Sequence, residues 1–172
     1  MIQPLPTAHM KTNYGSIIIE LDNQHAPKTV ANFLQYVKDG FYNGTLIHRV
    51  IDNFMIQGGG YTTGLNQKPA RAAITNEANN GLRNICSTIA MARTSDPHSA
   101  SSQFFINVAD NDFLNYSAAT PEGWGYCVFG RITDGMSVVD QIKGVPAGNC
   151  LGFKDVPLAE IVIENISSIN MS

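Results

Sequence analysis

What most restricts the folding of this chain is its series of short apolar segments with period two, separated by turn residues. GSIIIELD, residues 15 to 22, places Ile17, Ile19 and Leu21 on one face, as a strand requires. TLIHRV comes after an Asn43-Gly44 turn, and FMIQ after Asp52-Asn53. ICSTIAMAR, SQFFINV, GYCVFGRI and AEIVIENISSI read in the same way. Two stretches carry helical spacing instead. In APKTVANFLQYVKDG, residues 26 to 40, Pro27 suits the first helical position, Val30, Phe33, Leu34 and Val37 form a stripe, and Gly40 suits the position just past the end. GMSVVDQIKG gives a shorter helix, with Asp134 as its expected N-cap. Residues 61 to 83, rich in Gly, Asn, Thr and Pro, read as a long surface loop. Many short strands and two helices predict a mainly β fold, an antiparallel sheet closed on itself with helices plugging its open ends.

At 172 residues one domain is expected, and it can bury a core without staples. It is placed at residues 10 to 172. Residues 1 to 9 are read as a vector-derived or disordered segment outside the fold, with Met10 as the natural start. The net charge of −3 argues against a nucleic-acid partner. No run is long enough for a membrane span, and no secretory signal is evident. The cysteines, Cys86, Cys127 and Cys150, are odd in number and widely spaced. They read as reduced, buried thiols of a cytoplasmic protein.

The chemistry concentrates in IHRVIDNFMIQGGG, residues 47 to 60. Strict alternation would put Arg49 on the face of Ile47 and Ile51, opposite His48 and Val50. Taken alone, Arg49 reads as a rim arginine paired with a carboxylate. Among apolar neighbours its guanidinium keeps its charge and needs an acceptor. Gly58, Gly59 and Gly60 give room for close backbone approach. In SQFFINV, Phe104 and Phe105 face opposite ways, so one of them needs a reason to point away from the core. The histidines show no metal-ligand spacing, no GxSxG elbow is present, and GGGYTTG lacks both phosphate-loop patterns. Neither a metal nor a cofactor is expected.

FYNGTLIHRVIDNFMIQGGG, NEANNGLRN, IAMARTSDPHSASSQFFINVADNDFLN and GYCVFGRITDGMSVVDQIKG together resemble the cyclophilin family, in particular its bacterial cytoplasmic peptidyl-prolyl isomerases. The resemblance runs from about Thr12 to Ile169. It implies a closed eight-stranded antiparallel barrel capped by two α-helices, and cis/trans isomerisation of X-Pro bonds. It also implies Arg49 and Gln57 as catalytic residues. A proline pocket of Phe54, Met55, Phe105 and Leu114 would have Phe113 at its rim. Ala92, Gln103 and Tyr126 would complete the substrate site. Phe113 stands where many eukaryotic members have Trp, which implies weakened binding of cyclosporin-like inhibitors. Tyr126 replaces their His, Arg93-Thr94 replaces an Asn-Ala pair, and the loop from Asn115 to Gly125 is longer than theirs.

Rotation about an X-Pro bond breaks no covalent bond, so a cation, an apolar pocket and an amide suffice where no nucleophile is present. The expected partners are X-Pro peptides and unfolded or loop segments of client proteins, with the chain acting as a monomer. The competing reading is a proline-peptide binding module or holdase in which isomerisation is incidental.

Overall fold

The computed structural model describes residues 4 to 169. Eight strands close into one antiparallel barrel. In order around it they are β1 (Thr7–Thr12), β12 (Val162–Ile169), β3 (Thr45–Ile51), β4 (Met55–Gly58), β8 (Phe104–Asn107), β7 (Thr88–Met91), β9 (Val128–Asp134) and β2 (Gly15–Leu21). The mainly β, closed-barrel expectation therefore stands. The N-terminal boundary needs correction. Thr7, Ala8 and His9, set aside with residues 1 to 9, pair with both β2 and β12. Ala8 and Met10 are fully buried, so this strand closes the barrel and its apolar side chains fill it. Residues 1 to 3 of that segment lie outside the described residues.

The barrel interior is one continuous apolar cluster; β1 and β2 contribute strictly alternate residues to it, while β3, β9 and β12 contribute residues three apart. Helix α1 (Pro27–Lys38) buries Val30, Phe33, Tyr36 and Val37 against it. The Phe33 ring lies 5.3 to 5.9 Å from those of Tyr42, Phe104 and Phe129. Pro27 opens this helix as expected, and the position before it makes no side-chain cap. The cap comes from the long loop instead: the Glu77 carboxylate accepts from the Thr29 N–H at 2.7 Å and from the Thr29 hydroxyl at 2.7 Å. A carboxylate is favoured there by the free N–H groups of the first turn. Helix α2 (Met136–Lys143) buries Val139 and Ile142. Its N-cap is Gly135, in a left-handed conformation (φ 92°), not Asp134, because the chain must turn sharply out of β9.

The long loop holds the two-residue strands β5 (Tyr61–Thr62) and β6 (Asn66–Gln67). A hairpin of β10 (Ala147–Cys150) and β11 (Phe153–Pro157) precedes the last barrel strand. Sequence patterning carries no sign of that hairpin, since its strands are short, β10 buries no residue and β11 buries only Val156 and Pro157. Of the cysteines only Cys127 is buried; Cys86 and Cys150 are exposed, against the expectation of three buried thiols.

Candidate active site

A bulge decides where Arg49 points. Along β3 the pairing with β4 slips between Ile47 and Arg49. Ile47 and Val50 both join the interior cluster, while His48, Arg49 and Ile51 lie outside it. The strict alternation that would put Arg49 beside Ile47 is broken, because a bulge places two residues against one and shifts the facing of the residues after it. Arg49 thereby reaches the outer face of the barrel.

There it heads a row of cross-strand partners. Arg49 pairs with Gln57, Gln57 with Phe105, Phe105 with Ala90, and Ala90 with Val128. Directly paired residues share a face, so the row runs across five strands. Met55, Ala90, Phe105, Leu114 and Val128 form a second apolar cluster distinct from the interior. Phe104 is fully buried inside the barrel and Phe105 is buried in this outer cluster, facing the opposite way as the alternation requires.

The polar edge is a chain of three side chains. Arg49 Nη1 donates to Gln57 Oε1 at 3.2 Å, and Gln57 Nε2 donates to Gln103 Oε1 at 3.1 Å. No carboxylate pairs with Arg49 among the described residues. Gly60 makes room for this chain, since a Cβ there would come within 2.5 Å of Gln103 Cγ; Gly58 instead lets β4 approach β3, since a Cβ there would come within 2.5 Å of the Leu46 carbonyl oxygen. Behind Arg49, burial pushes His48 down to about 4, with the Arg49 charge adding to the effect. His48 is therefore neutral near pH 7 and adds no second charge to the site.

Of the remaining expected residues, Phe54, Met55, Ala92, Phe105, Leu114 and Tyr126 line the same cleft. Phe54 is half-buried and stacks on Phe113, with ring centroids 5.7 Å apart at 30°. Phe113 is 75% exposed and touches the cleft through Phe54 instead of lining it. Tyr126 meets the Phe105 ring edge-on at 5.7 Å. Ala92 lines the cleft, but its N–H already donates to the Gln103 carbonyl at 3.0 Å, so of its backbone groups only the carbonyl is left to a substrate. Gln103 reaches the cleft through Gln57 instead of lining it. Arg93 lines it too.

A supporting network escaped the sequence reading. Asn84, Asn107 and Asn111 are almost fully buried. Asn111 donates to the Phe54 carbonyl at 2.9 Å and to Asn107 Oδ1 at 2.8 Å. Asn107 donates to Asn84 Oδ1 at 3.0 Å, and Asn84 donates to the carbonyls of Leu114 and Tyr126, each at 3.2 Å. Three cleft residues thus hang by their backbone from one asparagine network. The stretches NEANNGLRN and NVADNDFLN are rich in asparagine, but Asn111 stands between two aspartates and nothing local marks these three amides as buried; a buried amide must find partners, and here they come from distant segments.

The model of the "Cyclophilin type peptidyl-prolyl cis-trans isomerase/CLD" family matches residues 7 to 168. The peptidyl-prolyl cis-trans isomerase cyp18 of Streptomyces antibioticus is 58% identical over 94% of this chain and 97% of its own length. Peptidyl-prolyl cis-trans isomerase B of Escherichia coli is 56% identical, covering 91% of this chain and 95% of its own. Among solved structures, a Cryptosporidium parvum cyclophilin-type isomerase superposes with a TM-score of 0.79 at 26% identity, covering 97% of this chain and 99% of that one. The same Cryptosporidium parvum protein was also solved in the presence of the dipeptide Ala-Pro (TM-score 0.78). A family match over nearly the whole described chain, on a barrel of the same architecture, leaves one assignment: this chain belongs to the cyclophilin-type peptidyl-prolyl cis-trans isomerases.

Proposed function

We propose that this isomerase turns X-Pro bonds in unfolded or loop segments of client proteins by placing the Arg49 guanidinium at the prolyl nitrogen as the bond twists. The observation that carries this is a half-buried arginine with no carboxylate partner among the described residues, held by Gln57 at the edge of an apolar pocket. The barrier is lost amide resonance, about 18–20 kcal/mol. Uncatalysed exchange takes on the order of tens to hundreds of seconds. A turnover of about 10–10³ per second then needs roughly 4–7 kcal/mol. As the bond twists, the nitrogen gains a lone pair, and a donor aimed at it strengthens only in the transition state. One preorganised donor supplies about 2.7–4 kcal/mol. Met55, Phe105 and Leu114 hold the proline ring, Phe54 and Phe113 wall it, and the preceding carbonyl swings. Gln57 orients Arg49, Gln103 steadies Gln57 and meets the substrate backbone, and Tyr126 and the Ala92 carbonyl border the residue beside proline.

The chain works as a cytoplasmic monomer in this reading, a setting that suits the exposed thiols of Cys86 and Cys150. Exchange NMR on an Ala-Pro peptide tests the catalytic role. Arg49→Ala should lower kcat/KM by about 10²-fold or more, while peptide Kd changes much less. Arg49→Lys should rescue poorly, since an ammonium lacks the planar fork. Near-normal exchange in a folded Arg49→Ala protein would return Arg49 to an ordinary rim residue and favour a binding module.

A further inference from the structure

Arg93 is clamped at the cleft in a way that the turning of a neutral X-Pro bond does not require. Its Nε and Nη2 both donate to the Gly125 carbonyl, at 3.0 and 2.9 Å, and its Nη1 donates to the Thr94 carbonyl at 2.8 Å. Its Cζ lies 4.4 Å from the centre of the Tyr126 ring. An arginine has five N–H donors. Three are committed here, and one remains on each terminal nitrogen. A pair of that kind matches the two oxygens of a carboxylate. No acidic side chain pairs with Arg93 among the described residues. The charged residues lining the cleft are Arg49 and Arg93, with no acid opposite them. A cationic cleft in a chain of net charge −3 is a local field that runs against the whole.

We propose that Arg93 is a specificity-determining residue that makes the cleft favour X-Pro segments carrying a carboxylate side chain on a residue flanking the proline. The clamp spares this role the usual entropy cost, because Tyr126 and two carbonyls already hold the side chain that a surface arginine would have to order. The inference rests on the reading that the Arg49 cleft holds the proline.

The test is a set of otherwise identical proline peptides with Glu or Gln immediately before, or immediately after, the proline. Exchange NMR at low salt gives kcat/KM for each. At one flank the Glu peptide should exceed its Gln counterpart by about three- to tenfold, the size of a partly exposed charge-assisted pair. The advantage should shrink at high salt. In Arg93→Gln the Glu/Gln ratio should fall to about one, and in Arg93→Lys to an intermediate value. Taking the ratio within each variant cancels any loss of folded protein. A wild-type ratio of one at both flanks overturns the inference, as does a ratio that Arg93→Gln leaves unchanged. Loss of Ala-Pro exchange in Arg49→Ala reports separately on the cleft reading, so either idea can fail alone.

Discussion

Phe104 and Phe105 are sequence neighbours, both almost wholly buried, and they serve opposite sides of one sheet. Phe104 packs edge-on against Phe33 and Tyr42 in the barrel interior. Phe105 packs with Met55, Leu114 and Tyr126 beneath an open cleft. The interior cluster is closed by barrel strands and helices, so its apolar area contributes to stability. The outer cluster is buried by a loop whose backbone hangs from Asn84, Asn107 and Asn111. It keeps a recess bordered by Arg49 and Gln57. Burial alone therefore does not separate core from site; what each buried ring leaves open beside it does.

The sharpest way to break this comparison is to truncate both rings. Phe104→Ala should cost about 3–5 kcal/mol of folding stability, because the void is enclosed. Phe105→Ala should cost less, since its void opens to the cleft, but should weaken peptide binding and turnover together. Denaturant melts beside NMR titrations with a proline peptide check both. Equal stability losses with no change in peptide Kd for Phe105→Ala would merge the two clusters into one core.

His48 gives a somewhat smaller effect from just behind the cleft. Its folded pKa is depressed to about 4, so the unfolded chain, with an ordinary histidine near 6.5, binds the proton first. Stability from this group is complete above about pH 6.5 and is lost as pH falls toward about 4, up to roughly 3 kcal/mol. Chemical denaturation across that range should show the fall, and His48→Gln should flatten it. An unchanged pH dependence in that variant would place the titration elsewhere.

Smaller again is the rim. Phe113→Trp adds an indole N–H that Phe lacks and should tighten cyclosporin binding by up to about tenfold, the value of one hydrogen bond of about 0.5–1.5 kcal/mol. Calorimetric titration showing equal or weaker binding would remove Phe113 from the inhibitor-facing rim. Smallest of all is metal removal. Bond rotation needs no Lewis acid, so EDTA should leave kcat/KM unchanged; a loss restored by Zn²⁺ would require a different mechanism.

Much of this was legible locally. The opposed facing of Phe104 and Phe105, the helix opening at Pro27 and the need of Arg49 for an acceptor all arise from strand period, ring geometry and an undeprotonatable guanidinium. Less legible were features with weak local signals. The strand of Thr7 to Thr12 carries few apolar residues and gains its place only by pairing with two neighbours. The Asp134 cap failed because the turn out of β9 demands a left-handed residue, which Gly135 supplies. The asparagine network spans segments far apart in sequence, so no short-range pattern encodes it.

The sequence by itself determined the class of fold, the two helices and the residue types brought to the cleft, because those depend on periodicity and on side-chain chemistry. The tertiary structure alone decided which way Arg49 points, since a bulge is a property of two paired strands and reverses a facing that one strand's alternation would predict. It decided likewise that Gln57 stands between Arg49 and Gln103. It also laid Arg93 over Tyr126, through partners more than thirty residues away. Register and long-range pairing come from closing the barrel, and closure is a condition on all eight strands at once.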